Sequence, residues 1–172
     1  MDVAEFEQFL QTYERDLYSF CQYLAMDIHI ANDLYQETVL HAFEGIALID
    51  VSKNPKSYLF SIAVGKWKNI SRKANRRNAI APEISLEDAI WATDGTKPES
   101  IAEQNELNRC IQKGLGDMKD KFRVPMILFY FDNFSLEDIA ALCKIPLGTV
   151  KSRLNKGRAL LKKTLKKEGF GL

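Results

Sequence analysis

The chain has 172 residues, 46% hydrophobic and 27% charged, with 24 Lys plus Arg against 23 Asp plus Glu and a formal net charge of +1. That length permits one domain or two small ones and excludes a large barrel enzyme, while the apolar fraction supports a packed core and excludes a disordered chain. No run reaches the ~18 consecutive apolar residues of a membrane helix, and Asp2, Glu5 and Glu7 stand where a signal peptide needs a basic and then an apolar region, so the expectation is a cytoplasmic protein with no direct membrane insertion.

Helical spacing dominates the first part. Phe6, Phe9, Tyr13, Leu17, Phe20 and Leu24 recur at steps of three and four, which marks one apolar stripe on a first helix. Residues 27–32 interrupt the pattern. A second helix follows with Leu34, Thr38, Ala42 and Ile46 inward, while Asp33, Gln36, Glu37, Leu40, His41 and Glu44 point elsewhere and Gly45 weakens its end. Ser52, Asn54 and Pro55 give 50–56 the composition of a loop, and Ser57 is placed to cap a third helix. Its inward positions are Leu59, Ile62, Ala63 and Ile70, after which the pattern dissolves into a basic run ending at Arg77. Pro82, Asp94, Gly95, Thr96 and Pro98 punctuate 81–100, which reads as a linker. Ile101, Leu107, Ile111 and Leu115 predict another helix that Gly114 and Gly116 end, and 122–131 begins one that Pro125 should start late or kink. With no strand alternation of useful length, the reading is all-α: two small helical domains, 1–80 and 101–172, joined by a flexible acidic linker, 81–100.

The near-zero net charge argues against a nucleic-acid partner only until it is counted by segment. Residues 1–50 carry ten acids and one base, Arg15; residues 51–80 carry eight bases and no acid. The linker has five acids against Lys97, and nine bases with no acid lie between Asp138 and Glu168. Two acid-free blocks thus hold 17 of the 24 basic residues, and each builds a local positive potential that attracts phosphate whatever the total.

Cys21, Cys110 and Cys143 are far apart at apolar helical positions, so they read as reduced core residues. His29 and His41 belong to no ligand cluster, and the common nucleotide and hydrolase signatures are missing. No metal, cofactor or catalytic residue is assigned.

The most specific pattern lies in 134–165. Ser135 followed by Glu137 and Asp138 is close to a capping box, and Ile139, Ala140 and Leu142 give a short apolar face. Lys144, Ile145 and Pro146 make a turn with Ile145 buried beneath it. A second helix from Leu147 then sets Val150, Leu154, Gly157 and Leu161 inward. Its other face carries Thr149, Lys151, Ser152, Asn155 and Lys156, flanked by Arg153 and Arg158. This is the pattern of a helix-turn-helix whose second helix enters a major groove. Thr149 and the free N–H groups at the helix start suit a phosphate; Lys151, Ser152, Asn155 and Lys156 are long or polar enough to reach base edges.

Ser135-Leu136-Glu137-Asp138-Ile139-Ala140, with Gly148-Thr149-Val150-Lys151-Ser152-Arg153-Leu154 and Arg158, closely resembles the C-terminal DNA-binding domain of bacterial RNA polymerase sigma factors of the extracytoplasmic function type. Asp33-Leu34-Tyr35-Gln36-Glu37 is similar to that family's polymerase-binding helix. Tyr58-Leu59-Phe60-Ser61-Ile62-Ala63 followed by Arg72-Lys73 and Arg76-Arg77 is similar to its helix for the promoter minus-10 element. Tyr58 stands where Trp is usual, Gly65 and Asn69 where Asn and Asp are frequent, Met118-Lys119 replaces a customary Leu-Pro, and Pro125 is unusual.

The resemblance implies a detachable specificity subunit that does no covalent chemistry. Asp33, Gln36 and Glu37 would meet core RNA polymerase, and Tyr58, Lys66, Lys68, Arg72, Lys73, Arg76 and Arg77 would hold the minus-10 region. The loop 46–56 would pocket an unstacked base of locally melted DNA. Thr149, Lys151, Ser152, Arg153, Asn155, Lys156 and Arg158 would hold the double-stranded minus-35 element. Aromatic and basic groups together suit single-stranded DNA, although Tyr58 and Trp67 equally suit a core. Family habit adds an anti-sigma factor as inhibitory partner. Elements about 20 base pairs apart lie roughly 68 Å apart, so a twenty-residue linker spanning at most ~66 to 72 Å must be drawn out in the working complex. Two other readings stand beside this one: a free-standing helix-turn-helix regulator of an operator, which leaves the Asp33–Glu37 motif and the first basic block unused, and a nucleic-acid enzyme, for which no clustered carboxylates are found.

Overall fold

The structure, a computed structural model, describes residues 1–49, 54–80 and 98–171. Among them are seven α-helices and a single 3-10 turn, and no strand. They fall into two units, one holding α1–α3 and the other α4, α5, α7 and the first part of α6, with residues 141–144 grouped with the first; the helices are taken in chain order.

In the first unit, α1 (Val3–Ala25) opens on a capping box: the Glu5 N–H donates to Asp2 Oδ1 at 2.8 Å, and the Asp2 N–H to Glu5 Oε2 at 2.8 Å. Phe6, Phe9, Leu17, Phe20, Cys21 and Leu24 are buried, so the aromatic stripe is core, with Tyr13 half-buried at its margin. The predicted break at 27–32 shrinks to two residues. Met26 turns left-handed (φ 53°), Asp27 caps the next helix by accepting from the Ile30 N–H at 2.9 Å, and α2 (Ile28–Glu44) is already under way at Ile28. One side-chain cap satisfies an orphan amide, so a longer loop is unnecessary. Ala31, Leu34, Thr38 and Ala42 are buried, and Thr38 donates its hydroxyl to the Leu34 carbonyl at 2.7 Å.

A 3-10 turn, Ile46–Leu48, follows. Next described is α3 (Pro55–Ile80). Its cap is Asn54 and not Ser57: Asn54 Oδ1 accepts from the Ser57 N–H at 3.2 Å, and Pro55 occupies a position where a missing N–H costs nothing. Leu59, Phe60, Ala63, Val64 and Trp67 are buried, and the Phe20 and Phe60 ring centroids lie 4.9 Å apart. Past Ser71 the helix continues with Arg72, Lys73, Ala74, Asn75, Arg76 and Arg77 all exposed. Arg, Lys and Ala are strong helix formers, so the helix outlives the apolar pattern that started it.

In the second unit, α4 (Pro98–Gly116), α5 (Asp120–Tyr130) and α6 (Leu136–Cys143) precede α7 (Leu147–Lys167), and α7 packs on α4 and α5. The linker expected at 81–100 lies outside the described residues over 81–97, and α4 begins three residues before 101. Gly114 does not end α4; it sits inside the helix, where an added Cβ would stand 2.6 Å from Leu161 Cδ1. Pro125 neither delays nor breaks α5, which starts five residues before it. A proline inside a helix costs about 3 kcal/mol. Against that, 123–128 is buried throughout, and each fully buried Val, Leu, Ile or Met side chain returns about 1.5 to 3 kcal/mol. The three cysteines are buried, and none of them is in a disulfide.

Candidate nucleic-acid interface

The turn between α6 and α7 is built by local chemistry. Ser135 caps α6 as expected, its Oγ accepting from the Asp138 N–H at 3.0 Å and donating to Asp138 Oδ2 at 2.6 Å. At the other end Ile145 N–H bonds Ala140 O at 3.0 Å and Lys144 N–H bonds Ala141 O at 3.2 Å, with Lys144 left-handed at φ 54°. That paired closure stops α6 and redirects the chain within two residues. Ile145 is half-buried, short of the full burial expected, because this cap already fastens the turn through its backbone.

Along α7, Val150, Leu154, Gly157 and Leu165 are buried and Leu161 half-buried, so the inward positions are those the spacing picked out. Gly157 lies under Met126: an added Cβ would stand 2.6 Å from Met126 Cγ and 2.8 Å from Sδ. Glycines at 114 and 157 let α7 approach both of its neighbours. The opposite face presents Lys151, Ser152, Asn155, Lys156 and Arg158 to solvent, with Thr149 and Arg153 half-buried at its edges. All seven predicted residues therefore share one helix, five of them fully outward.

Two details add to the sequence expectation. The Thr149 N–H is not free, since it donates to the Pro146 carbonyl at 2.9 Å. No side chain caps α7, so the first amides at Leu147 and Gly148 are the ones an anion can reach, and the space around Gly148 is open. Arg158 is not a loose flanking cation either. Its Nη2 donates to Asn155 Oδ1, and its Nη1 lies 3.5 Å from the Tyr130 hydroxyl. Tyr130, 45% exposed, was missed by sequence reasoning because it stands 28 residues from Arg158 inside an apolar run.

On α3, Lys68, Arg72, Lys73, Arg76 and Arg77 are exposed and Lys66 half-buried. At 100° per residue, Tyr58, Ser61, Gly65, Asn69, Arg72 and Arg76 line one outward stripe, with Lys66, Lys73 and Arg77 along one edge. Tyr58 is half-buried against the end of α2, its hydroxyl 2.6 Å from where a Gly45 Cβ would sit. Trp67, 6% exposed, is core, which settles the alternative left open for that ring. Of the loop 46–56, residues 50–53 lie outside the described residues.

On α2, Asp33, Gln36 and Glu37 are exposed together, and the same outward face carries Leu40 at 59% exposure. Glu37 Oε2 stands 3.7 Å from Lys66 Nζ, so the acidic and basic surfaces meet at an ion pair. Tyr35, within the same motif, faces inward: its hydroxyl lies 3.5 Å from Glu14 Oε1, and burial first, then the Glu14 charge, push its pKa up to about 12. In the second unit burial raises the Cys110 thiol, and the hydrogen bond from Lys113 to Glu168, 2.6 Å, raises Lys113.

Comparison with known proteins gives two family matches, Sigma-70 region 2 over residues 9–77 and Sigma-70, region 4 over residues 108–161. The ECF RNA polymerase sigma factor SigW of Bacillus subtilis (strain 168) is 28% identical over 170 residues, 96% of this chain and 91% of the relative. The ECF RNA polymerase sigma factor EcfG of Rhodopseudomonas palustris (strain TIE-1) is 32% identical over 142 residues, 81% of this chain and 73% of the relative. Among solved structures, the sigma factor RpoE in complex with the anti-sigma factor NepR from Bartonella quintana has a TM-score of 0.80 at 27% identity, covering 95% of this chain and 98% of that one.

Proposed function

Because this chain belongs to the sigma-70 family, as an RNA polymerase sigma factor of the extracytoplasmic function type that directs promoter-specific initiation by core RNA polymerase, we propose that it does so through three separate surfaces. The exposed α2 face with Asp33, Gln36 and Glu37 docks on core polymerase. The α3 stripe from Tyr58 through Lys66, Lys68, Arg72, Lys73, Arg76 and Arg77 holds the minus-10 region, where the bases are locally melted. The α7 face with Thr149, Lys151, Ser152, Arg153, Asn155, Lys156 and Arg158 holds the double-stranded minus-35 element.

The observation that carries this reading is the two-sidedness of α7. Its buried stripe is apolar and closes on Gly157, and its exposed stripe is basic and polar with an uncapped amino end. Basic side chains supply affinity by releasing counterions from phosphates, and the polar ones read base edges. Residues 1–80 then serve as the minus-10 and polymerase domain, 81–100 as the linker and 101–172 as the minus-35 domain, acting in the cytoplasm where the polymerase works. An anti-sigma factor is the inhibitory partner, supported by the RpoE relative having been captured with NepR.

The test is reconstitution. Sigma-free core polymerase plus this protein, given genomic promoter fragments, should yield discrete run-off transcripts. Operator binding without initiation would return the reading to a free-standing helix-turn-helix regulator.

A further inference from the structure

From the fit of Tyr58 against the end of α2 we infer that Gly45 is a positioning residue for the minus-10 surface: its missing side chain admits the tip of the Tyr58 phenol and so fixes where that ring stands for an unpaired promoter base to stack on it. The inference rests on the assignment of α3 to the minus-10 region.

Gly45 closes α2 with φ −94° and ψ 19°, its N–H bonded to the His41 carbonyl at 3.2 Å. Those angles are accessible to residues other than glycine, which is favoured only where φ is positive, so the backbone does not call for glycine here. Space does. A Cβ at residue 45 would stand 2.6 Å from the Tyr58 hydroxyl, against 3.6 and 3.8 Å from the His41 and Ala42 carbonyl oxygens. The phenol tip thus occupies the place of the absent methyl. At its other end Tyr58 is tied into the first turns of α3, where its N–H donates to the Asn54 carbonyl at 3.4 Å and its carbonyl accepts from the Ser61 hydroxyl at 2.7 Å. With the backbone fixed at one end and the tip lodged at the other, the ring is restricted in how it can swing. Tyr58 is only half-buried, and it heads the outward stripe that continues through Ser61, Gly65 and Asn69 to Arg72 and Arg76. An aromatic ring offers a stacking platform to any base, and nearby cations neutralise the phosphates beside it. A methyl at residue 45 needs a separation of about 3.5 Å, so it would push the phenol tip away by about 1 Å. Because that tip is the far end of a half-buried side chain, the displacement should disturb the platform without unfolding α2 or α3.

The experiment uses core polymerase reconstituted with the full chain on a promoter fragment recovered from the run-off reconstitution. Retention of the duplex fragment reads binding, and the rate at which minus-10 thymines become reactive to permanganate reads base unpairing. Tyr58→Ala should slow opening by about five- to a hundredfold, the range of one base–aromatic stack. Gly45→Ala should lose a smaller part of that rate, with duplex binding, core binding and thermal stability retained. Tyr58→Phe, which keeps the ring and removes only its hydroxyl, should open near the wild-type rate, and Gly45→Ala placed in the Tyr58→Phe background should recover to the same level. Opening at the wild-type rate in Gly45→Ala, or a defect that Tyr58→Phe does not relieve, overturns the positioning role. So does a Gly45→Ala defect that extends equally to core binding and thermal stability, which would make the notch a feature of the fold alone. If Tyr58→Ala opens normally while Arg76→Ala weakens minus-10 binding, the inference falls and the assignment of α3 stands; if neither variant changes opening or binding, the assignment of α3 falls with it.

Discussion

Replacing Gly157 by alanine tests whether α7 is held where the proposed interface needs it. Two effects oppose each other. Alanine in a helix interior is favoured over glycine by about 1 kcal/mol. Against that, the new methyl would stand 2.6 Å from Met126 Cγ and 2.8 Å from Sδ, where carbon neighbours prefer about 3.5 to 4 Å, and Met126 is 2% exposed with little room to retreat. Overpacking of this kind costs about 1 to 3 kcal/mol, so the net expectation runs from neutral to about 2 kcal/mol of destabilisation. Gly148 on the same helix is the internal control, because nothing lies within 4 Å of its would-be Cβ. Gly148→Ala should keep the helix gain of about 1 kcal/mol with no overpacking, leaving the two variants about 1 to 3 kcal/mol apart. Hydrogen exchange of amides in 120–130 and 147–167 reads the difference, with lower protection expected in Gly157→Ala. Equal protection in both variants would refute the close crossing of α5 and α7.

Three other predictions are independent of that crossing. Glu37→Lys should abolish binding to core polymerase with little change in thermal stability, since its ion pair with Lys66 is exposed and worth at most about 1 kcal/mol; retained binding in a pull-down would remove α2 as the docking face. Ser135→Ala should destabilise α6 by about 1 kcal/mol through loss of its cap, seen as faster exchange over 136–143. Tyr35 keeps its proton to about pH 12 in the fold against about 10 in the unfolded chain. Its stabilising contribution is therefore complete below pH 10 and is lost as pH rises from 10 towards 12, and Tyr35→Phe should flatten that decline in a denaturation series.

The helices of this protein are legible in its sequence because their causes are local. The α1 stripe, the Ser135 cap and the inward steps from Val150 to Leu161 depend on residues three or four apart, and each appears in the structure where spacing put it. The outward faces are legible for the same reason: once an apolar stripe is identified, Asp33, Gln36, Glu37, Lys156 and their neighbours have to point away from it. Boundaries were less secure. Asn54 in place of Ser57 as cap, the early start of α2 and the helical Pro125 turn on which of several competent caps is used and on how much burial outweighs a missing amide.

What the tertiary structure alone decided are contacts between residues distant in the chain. Gly114 reads as a helix end until Leu161 is found against it, and Trp67 stays undecided between core and surface until the packed fold leaves it 6% exposed. Arg158 looks like a plain flanking cation until the hydroxyl of Tyr130, 28 residues away, is found 3.5 Å from its Nη1. Spacing reports the face a residue occupies, because a helix repeats every 3.6 residues; it carries no information about which partner waits opposite, because that is set by how separate helices cross.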